Sequence, residues 1–305
     1  MKFTKMHGIG NDYVYVNCFA EQVSDPVSLA RVISDRHMGV GGDGLILVCP
    51  SDRADVRMEM YNADGSRAQM CGNGIRCVAK YAYEHGLIDR APDAVPGTDP
   101  GDVQTIIERT SSSCGSDGEM LAVAVDTDAG VKTLGLSVVD GQVRMVCVDM
   151  GEPSLRPGDL PCTLDGDRIV DREVDVDGRT YVMTCVSVGN PHAVVFVDDL
   201  GAVDLASEGR AIETAGIFPE RINAHFVRVD GRDEVTMATW ERGSGITLAC
   251  GTGATSVCVA AAVTDRTDRA VLAHLPGGDL RLDWAADNHI YKTGPAAEVF
   301  TGEWP

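Results

Sequence analysis

Two cysteines in this chain head the same short pattern. Cys71 opens CGNGIR over residues 71–76 and Cys250 opens CGTGAT over residues 250–255, 179 positions later. Gly10-Asn11 recurs at the same offset as Gly189-Asn190, and YNADGS over 61–66 recurs as WERGSG over 240–245. Three correspondences at one offset imply two like half-proteins, each presenting a thiol at a glycine-rich turn. A pair of thiols suits a reaction that takes a proton from one face of a carbon and returns one to the other. The glycines allow a tight turn and leave backbone N–H groups uncovered where a helix begins. Such a turn holds an anion, for example a substrate carboxylate, and lowers a thiol pKa.

Other residues gain meaning from their place in the repeat. Asn11 and Asn190 are amides at strand mouths, and Asn62 and Glu241 each precede a cysteine by nine residues. Arg242 has no basic counterpart in the first half, so the repeat is asymmetric where a molecule with two unlike ends could be oriented. His192 is placed to polarise a thiol or hold a proton. His7 and His225 read as packing or hydrogen-bonding residues, and Asp43 and Asp64 as caps of glycine-rich turns. Cys77 and Cys258 follow their partners by one to two helical turns and read as core thiols. Their spacing does not match a zinc or iron–sulfur ligand set, and there is no HExxH, so no metal is expected. MGVGGDG over 38–44 lacks the lysine of a P-loop and the spacing of a dinucleotide site, so no nucleotide is assigned.

These residues must be positioned by a mixture of strands and helices. Alternation predicts strands at 13–16, 45–48, 55–61, 121–125, 134–138, 143–149, 180–187 and 191–197. INAHFVRVD and EVTMATWE read as two more, with short strands over 271–284 and 290–293. Helical spacing predicts helices over 27–37 and 205–215, and one after each CGxG turn. Residues 89–102, rich in Pro, Asp and Gly, read as a solvated loop, and 111–119 as a turn leaving Cys114 at or near the surface. The fold class is α+β with one central helix per half. The domain change is expected near residue 130, giving 1–130 plus 292–305 and 131–291, with GPAAEVFTGEW returning to the first domain.

The 305 residues are enough for two cores. A formal charge of −20, with 46 acidic and 26 basic residues, repels nucleic acid and anionic membranes, so neither is an expected partner. No apolar run approaches the length of a membrane span. Ten cysteines without an exporting segment read as reduced thiols in a cytoplasm.

The motifs MHGIGNDY, NADGSRAQMCGNGIRC, GNPHAVVFV, INAHFV and ERGSGITLACGTGA together resemble the diaminopimelate epimerase family of pyridoxal-phosphate-independent racemases and epimerases, over essentially the whole chain. The resemblance implies two pseudo-symmetric domains, each a curved, barrel-like, mostly antiparallel sheet around a central helix. It implies cofactor-independent epimerisation of LL-2,6-diaminopimelate to the meso isomer, in lysine and peptidoglycan precursor biosynthesis, with a small amino-acid substrate and a second copy of the chain in a homodimer as partners. Cys71 and Cys250 would be the acid/base pair, with His192 and Glu241 beside them. Asn11, Asn62, Asn190, Asn223 and Arg242 would hold the substrate, and the N–H groups of Gly72, Asn73, Gly251 and Thr252 its reacting carboxylate. Gly44 departs from the glutamine of many members, Ile246 from a glutamate, and Ala224-His225 from the more usual Val-Glu or Val-Asn. A related racemase acting on histidine or proline is the nearest alternative; a cysteine hydrolase would leave the second cysteine and the matched glycines unexplained, and a non-catalytic amino-acid-binding module would be excluded by rapid exchange of the substrate α-hydrogen.

Overall fold

The computed structural model describes residues 1–88, 90, 94–115 and 117–305. The chain divides into two units, residues 1–149 with 293–305, and residues 150–292. Unit 1 contains β1 (Lys2–Gly8), β2 (Asn11–Asn17), α1 (Pro26–Ile33), β3 (Gly44–Cys49), β4 (Val56–Asn62), β5 (Arg67–Ala68), α2 (Gly74–Glu84), α3 (Pro100–Cys114), β6 (Glu119–Thr127), β7 (Gly130–Val139) and β8 (Gln142–Asp149). Unit 2 contains β9 (Arg172–Val176), β10 (Arg179–Ser187), β11 (Pro191–Phe196), α4 (Leu205–Glu213), β12 (Asn223–Gly231), β13 (Glu234–Glu241), β14 (Gly245–Thr247), α5 (Gly251–Val263), β15 (Ala270–Leu275) and β16 (Gly278–Trp284). The chain passes back to unit 1 in β17 (Ile290–Gly294) and ends in β18 (Ala297–Glu303).

In unit 1 the strand order is β18-β1-β2-β3-β4-β6-β7-β8, antiparallel except for β2 with β3 and β4 with β6. A parallel step needs a long crossover. α1 supplies the first, and α2 with α3 the second. Unit 2 repeats the scheme as β9-β10-β11-β12-β13-β15-β16, with parallel steps at β11–β12 and β13–β15 crossed by α4 and α5. Even the registers coincide at the 179-residue offset: Tyr13 faces Gly44 and Leu45 faces Tyr61, while His192 faces Asn223 and Ala224 faces Trp240. Both cysteines therefore stand at the same topological point, after a short hairpin and at the start of the second crossover helix.

Those crossover helices are the centres of their units. α2 packs against β1, β2, β3, β4, β6, β7 and β8, and α5 against β10, β11, β12, β15 and β16. Burial on nearly all sides explains their composition, since nine of eleven residues of α2 and ten of thirteen of α5 are buried. Cys77 and Cys258 are wholly buried within them.

Several elements differ from the sequence expectation. The helix expected over 27–37 ends at Ile33. Asp35 Oδ1 accepts the N–H groups of His37 and Met38, and the N–H groups of Val40 and Gly41 turn back onto the Ile33 carbonyl. The glycine loop over 38–44 thus closes the end of α1, which occupies N–H groups a phosphate would need. α3 was not expected: Asp99 caps Gly101 N–H at 2.7 Å, Pro100 opens the helix, and Val103, Ile106 and Thr110 form its buried stripe. The turn expected over 111–119 is in part the last turn of α3, and residues 89, 91–93 and 116 of the expected loops lie outside the described residues. β9 was also not anticipated. The unit boundary falls at Asp149/Met150, not near 130, because β6, β7 and β8 form one continuous antiparallel meander.

α3 lies so close to β7 that a Cβ at Gly135 would meet Thr110 Oγ1 at 1.9 Å and the Ile106 carbonyl at 3.0 Å. Gly135→Ala is expected to destabilise the protein by about 1–3 kcal/mol, the usual result of overpacking. Gly158→Ala, where a Cβ meets nothing within 4 Å, serves as the control. Chemical denaturation of both variants checks this; equal stabilities would show that α3 moves freely away from β7.

Candidate active site

In unit 1, Cys71 lies in the turn before α2. Its sulfur accepts the Gly74 N–H at 3.4 Å and its carbonyl accepts the Ile75 N–H. The thiol donates to Asn11 Oδ1 at 3.4 Å. Asn11 is itself fixed, its Nδ2 donating to Asp43 Oδ2 at 2.7 Å, while the same carboxylate oxygen accepts the Asp12 N–H at 3.1 Å. Arg36 bridges Asp12 and Asp43. Asp43 is therefore more than the turn cap expected of it: it decides which end of the Asn11 amide meets the sulfur. Tyr13 completes this side; burial, then the charges on Cys71 and Asp43, push its phenol up. A Cβ at Gly44 would lie 2.1 Å from the Tyr61 carbonyl and 3.0 Å from Tyr13, so the residue paired with Tyr13 must be glycine here. Arg76, fully buried one turn into α2, donates to the Gly72 carbonyl and to Asn73 Oδ1 and so shapes the CGNG turn.

Unit 2 reproduces the sulfur geometry. Cys250 caps α5, and its sulfur accepts the Gly253 N–H at 3.3 Å. Thr252 Oγ1 lies 3.6 Å from the sulfur and 3.5 Å from Asn190 Nδ2. The surroundings differ. Cys250 is buried, and burial followed by the Glu241 carboxylate pushes its thiol well up, against the pull of Thr252, the Gly253 N–H and Lys292. Glu241 accepts from Thr247 Oγ1 at 2.5 Å. Where unit 1 has Tyr13, unit 2 has His192, whose Nε2 meets Asn190 Oδ1 at 2.9 Å and whose Nδ1 meets His225 Nε2 at 2.9 Å. His225 Nδ1 in turn meets Thr239 Oγ1 at 3.0 Å. Burial holds both imidazoles neutral, His225 down to about 3 and His192 well below its ordinary value. The amide oxygen can only accept, so His192 Nε2 carries its proton, His225 Nε2 donates to His192 Nδ1, and the Thr239 hydroxyl donates to His225.

The expected residues thus fall into groups. Cys71 with Asn11, and Cys250 with Asn190, His192 and Thr252, are joined by direct contacts. Gly72 and Asn73 lie in the turn that leads into α2, and Gly251 and Thr252 in the first turn of α5. Asn62 holds its own turn, Nδ2 donating to Ser66 Oγ at 2.9 Å. Asn223 is buried and binds backbone on both sides, Nδ2 donating to the Pro191 carbonyl and Oδ1 accepting the Arg242 N–H. It places Arg242, whose exposed guanidinium donates to the Glu220 carbonyl at 3.0 Å. Asp43, Tyr13, Arg76, and Glu213, which accepts from Trp240 Nε1 and the Gly243 N–H, were not read as site residues. The 179-residue offset alone could have drawn out Tyr13, as the counterpart of His192.

A probable proline racemase from Agrobacterium radiobacter shares this fold, with a TM-score of 0.65 and 14% identity over 100% of this chain and 92% of that one. The chain is a member of the pyridoxal-phosphate-independent class of racemases and epimerases. The sequence pattern of diaminopimelate epimerase matches residues 3–156 and 184–299. A diaminopimelate epimerase of Agathobacter rectalis is 47% identical over 99% of both chains, and one of Methanococcus maripaludis 40% identical over 99% of both. The chain belongs to the diaminopimelate epimerase family.

Asp43→Ala removes the acceptor that orients Asn11. Turnover is expected to fall about tenfold, the equivalent of one hydrogen bond, while Asp43→Asn, which keeps an oxygen acceptor, retains most of it. Steady-state kinetics on both variants checks this; equal losses would show that the carboxylate charge, not the amide orientation, matters.

Proposed function

We propose that this protein interconverts LL- and meso-diaminopimelate, with Cys71 serving one face of the reacting α-carbon and Cys250 the other. The observation that carries this reading is the matched pair of sulfur-capped helix heads, Cys71 with Gly74 N–H and Cys250 with Gly253 N–H. An α-proton is far less acidic than a thiol, whose free pKa is about 8.5. The difference must come from stabilising negative charge as it spreads onto the substrate carboxylate. Backbone N–H groups and dipoles at the two helix heads supply that stabilisation, with Gly72, Asn73, Gly251 and Thr252 the residues that this reading puts beside the carboxylate. One cysteine takes the proton as thiolate and the other gives one as thiol, with the roles exchanged in reverse. No electron sink is required, so the reading includes no cofactor.

Arg242 supports a substrate with a distal carboxylate. Its backbone is fixed by Asn223 while its guanidinium is exposed, and a guanidinium pairs with a carboxylate through two parallel hydrogen bonds. That supports diaminopimelate over histidine or proline, and with it a role in lysine and peptidoglycan precursor biosynthesis.

The test is turnover of LL-diaminopimelate, histidine and proline by the purified protein without pyridoxal phosphate. Diaminopimelate is expected to be the preferred substrate by kcat/KM. Cys71→Ser and Cys250→Ser are each expected to lower turnover by at least about a hundredfold, as for loss of an acid/base group. Preference for histidine or proline would overturn the substrate assignment, and near-normal turnover by either serine variant would overturn the two-base assignment.

A further inference from the structure

The side chains around Cys250 are arranged for more than proton transfer. The donor atoms of His192, His225 and Cys250 all lie within 4.8 Å of one another, and all three residues are buried. No other such triplet is found among the described residues. We propose that His192 Nδ1, His225 Nε2 and Cys250 Sγ form a binding site for a borderline-soft divalent cation such as Zn²⁺, which blocks this thiol.

Three features support the site. First, the inner nitrogens of the two rings already point at each other across 2.9 Å. Two nitrogens at that separation, each about 2.0–2.1 Å from zinc, subtend about 90° at the metal, and opening them by about 0.4 Å gives a tetrahedral angle. Second, the outer nitrogens meet oxygens, Asn190 Oδ1 at 2.9 Å and Thr239 Oγ1 at 3.0 Å. Metal-bound histidines need that outer partner to fix the ring. Third, the space between the donors is kept clear by Gly253: a Cβ there would lie 2.8 Å from His225 Nε2 and 3.0 Å from Cys250 Sγ. Two imidazoles and a thiolate are the donor set that suits zinc or cobalt, with a fourth position left for water.

Binding balances as follows. The Cys250 thiol loses its proton to solvent as the sulfur–metal bond forms. The His225 proton moves from Nε2 to Nδ1, and the Thr239 hydroxyl turns from donor to acceptor. No electron is transferred. Sequence spacing gave no sign of this site because the donors come from β11, β12 and the head of α5. The site stands on its own geometry, whereas its consequence, inhibition, rests on Cys250 being a catalytic thiol.

Titration of the reduced, metal-free protein with Co²⁺ tests the proposal. One equivalent is expected to give the intense visible bands of tetrahedral cobalt and a thiolate-to-cobalt charge-transfer band, both removed by one equivalent of Zn²⁺. Cys250→Ser should abolish the charge-transfer band. His225→Gln should weaken cobalt binding at least about tenfold, the smallest loss typical even of a group behind the ligands, and so should Thr239→Val, which keeps both rings. Weak octahedral bands alone, or an unchanged spectrum in Cys250→Ser, would overturn the site. Stoichiometric Zn²⁺ should also inhibit epimerisation, reversibly by chelator. A full cobalt spectrum with undiminished turnover would leave the site standing and overturn the catalytic reading of Cys250.

Discussion

The whole arrangement depends on a backbone N–H donating to a cysteine sulfur at the head of a buried helix. The contact is 3.4 Å at Cys71 and 3.3 Å at Cys250. It fixes the thiol against the positive end of a helix, where negative charge on sulfur or on a neighbouring carboxylate is favoured. The glycine three residues after each cysteine has a second role. A Cβ at Gly74 would lie 2.8 Å from Ile46 Cδ1, and one at Gly253 2.3 Å from His225 Cε1. Each helix head can therefore sink into its sheet only because that residue has no side chain.

The same scaffold carries different chemistry in its two copies. Register places Tyr13 where the other unit has His192, and Gly44 where it has Asn223. One turn into the helix, buried Arg76 binds the Gly72 carbonyl and Asn73, whereas its counterpart Thr255 binds only the Gly251 carbonyl of its own helix. Cys71 thus sits beside a buried cation and a phenol, and Cys250 beside neutral imidazoles and a carboxylate. An enzyme that holds one end of its substrate for reaction and the other end at a distance needs such a difference, because a perfect repeat would offer both ends the same contacts.

Much of this was legible in the sequence because the repeat is nearly rigid in register. Strand and helix periods, and a fixed 179-residue offset from Asn11 to Cys71, were enough to find the cysteines, both strand-mouth asparagines and the two central helices. The hidden parts are those where contacts cross between elements. Asp43 reaches back to Asn11 over 32 residues, and Glu213 holds the Trp240 turn from 27 residues away. Neither follows from local pattern. α3 was obscured by the Pro, Asp and Gly around its start and the serines at its end, although Val103, Ile106 and Thr110 have helical spacing. It has no counterpart in unit 2, and it is where the offset breaks: β4 pairs Val56 with Val125, whereas β13 pairs Val235 with Ala273.

In the proposed reaction two different groups handle the proton on the two faces. Its most direct test is epimerisation of LL-diaminopimelate in heavy water, with substrate and product analysed by mass spectrometry at low conversion. With two thiols, each meso product molecule carries one deuterium and the remaining LL substrate none, because the proton leaves to one thiol while deuterium arrives from the other. Deuterium entering the recovered substrate as fast as product forms would show a single base exchanging with solvent, and would contradict it.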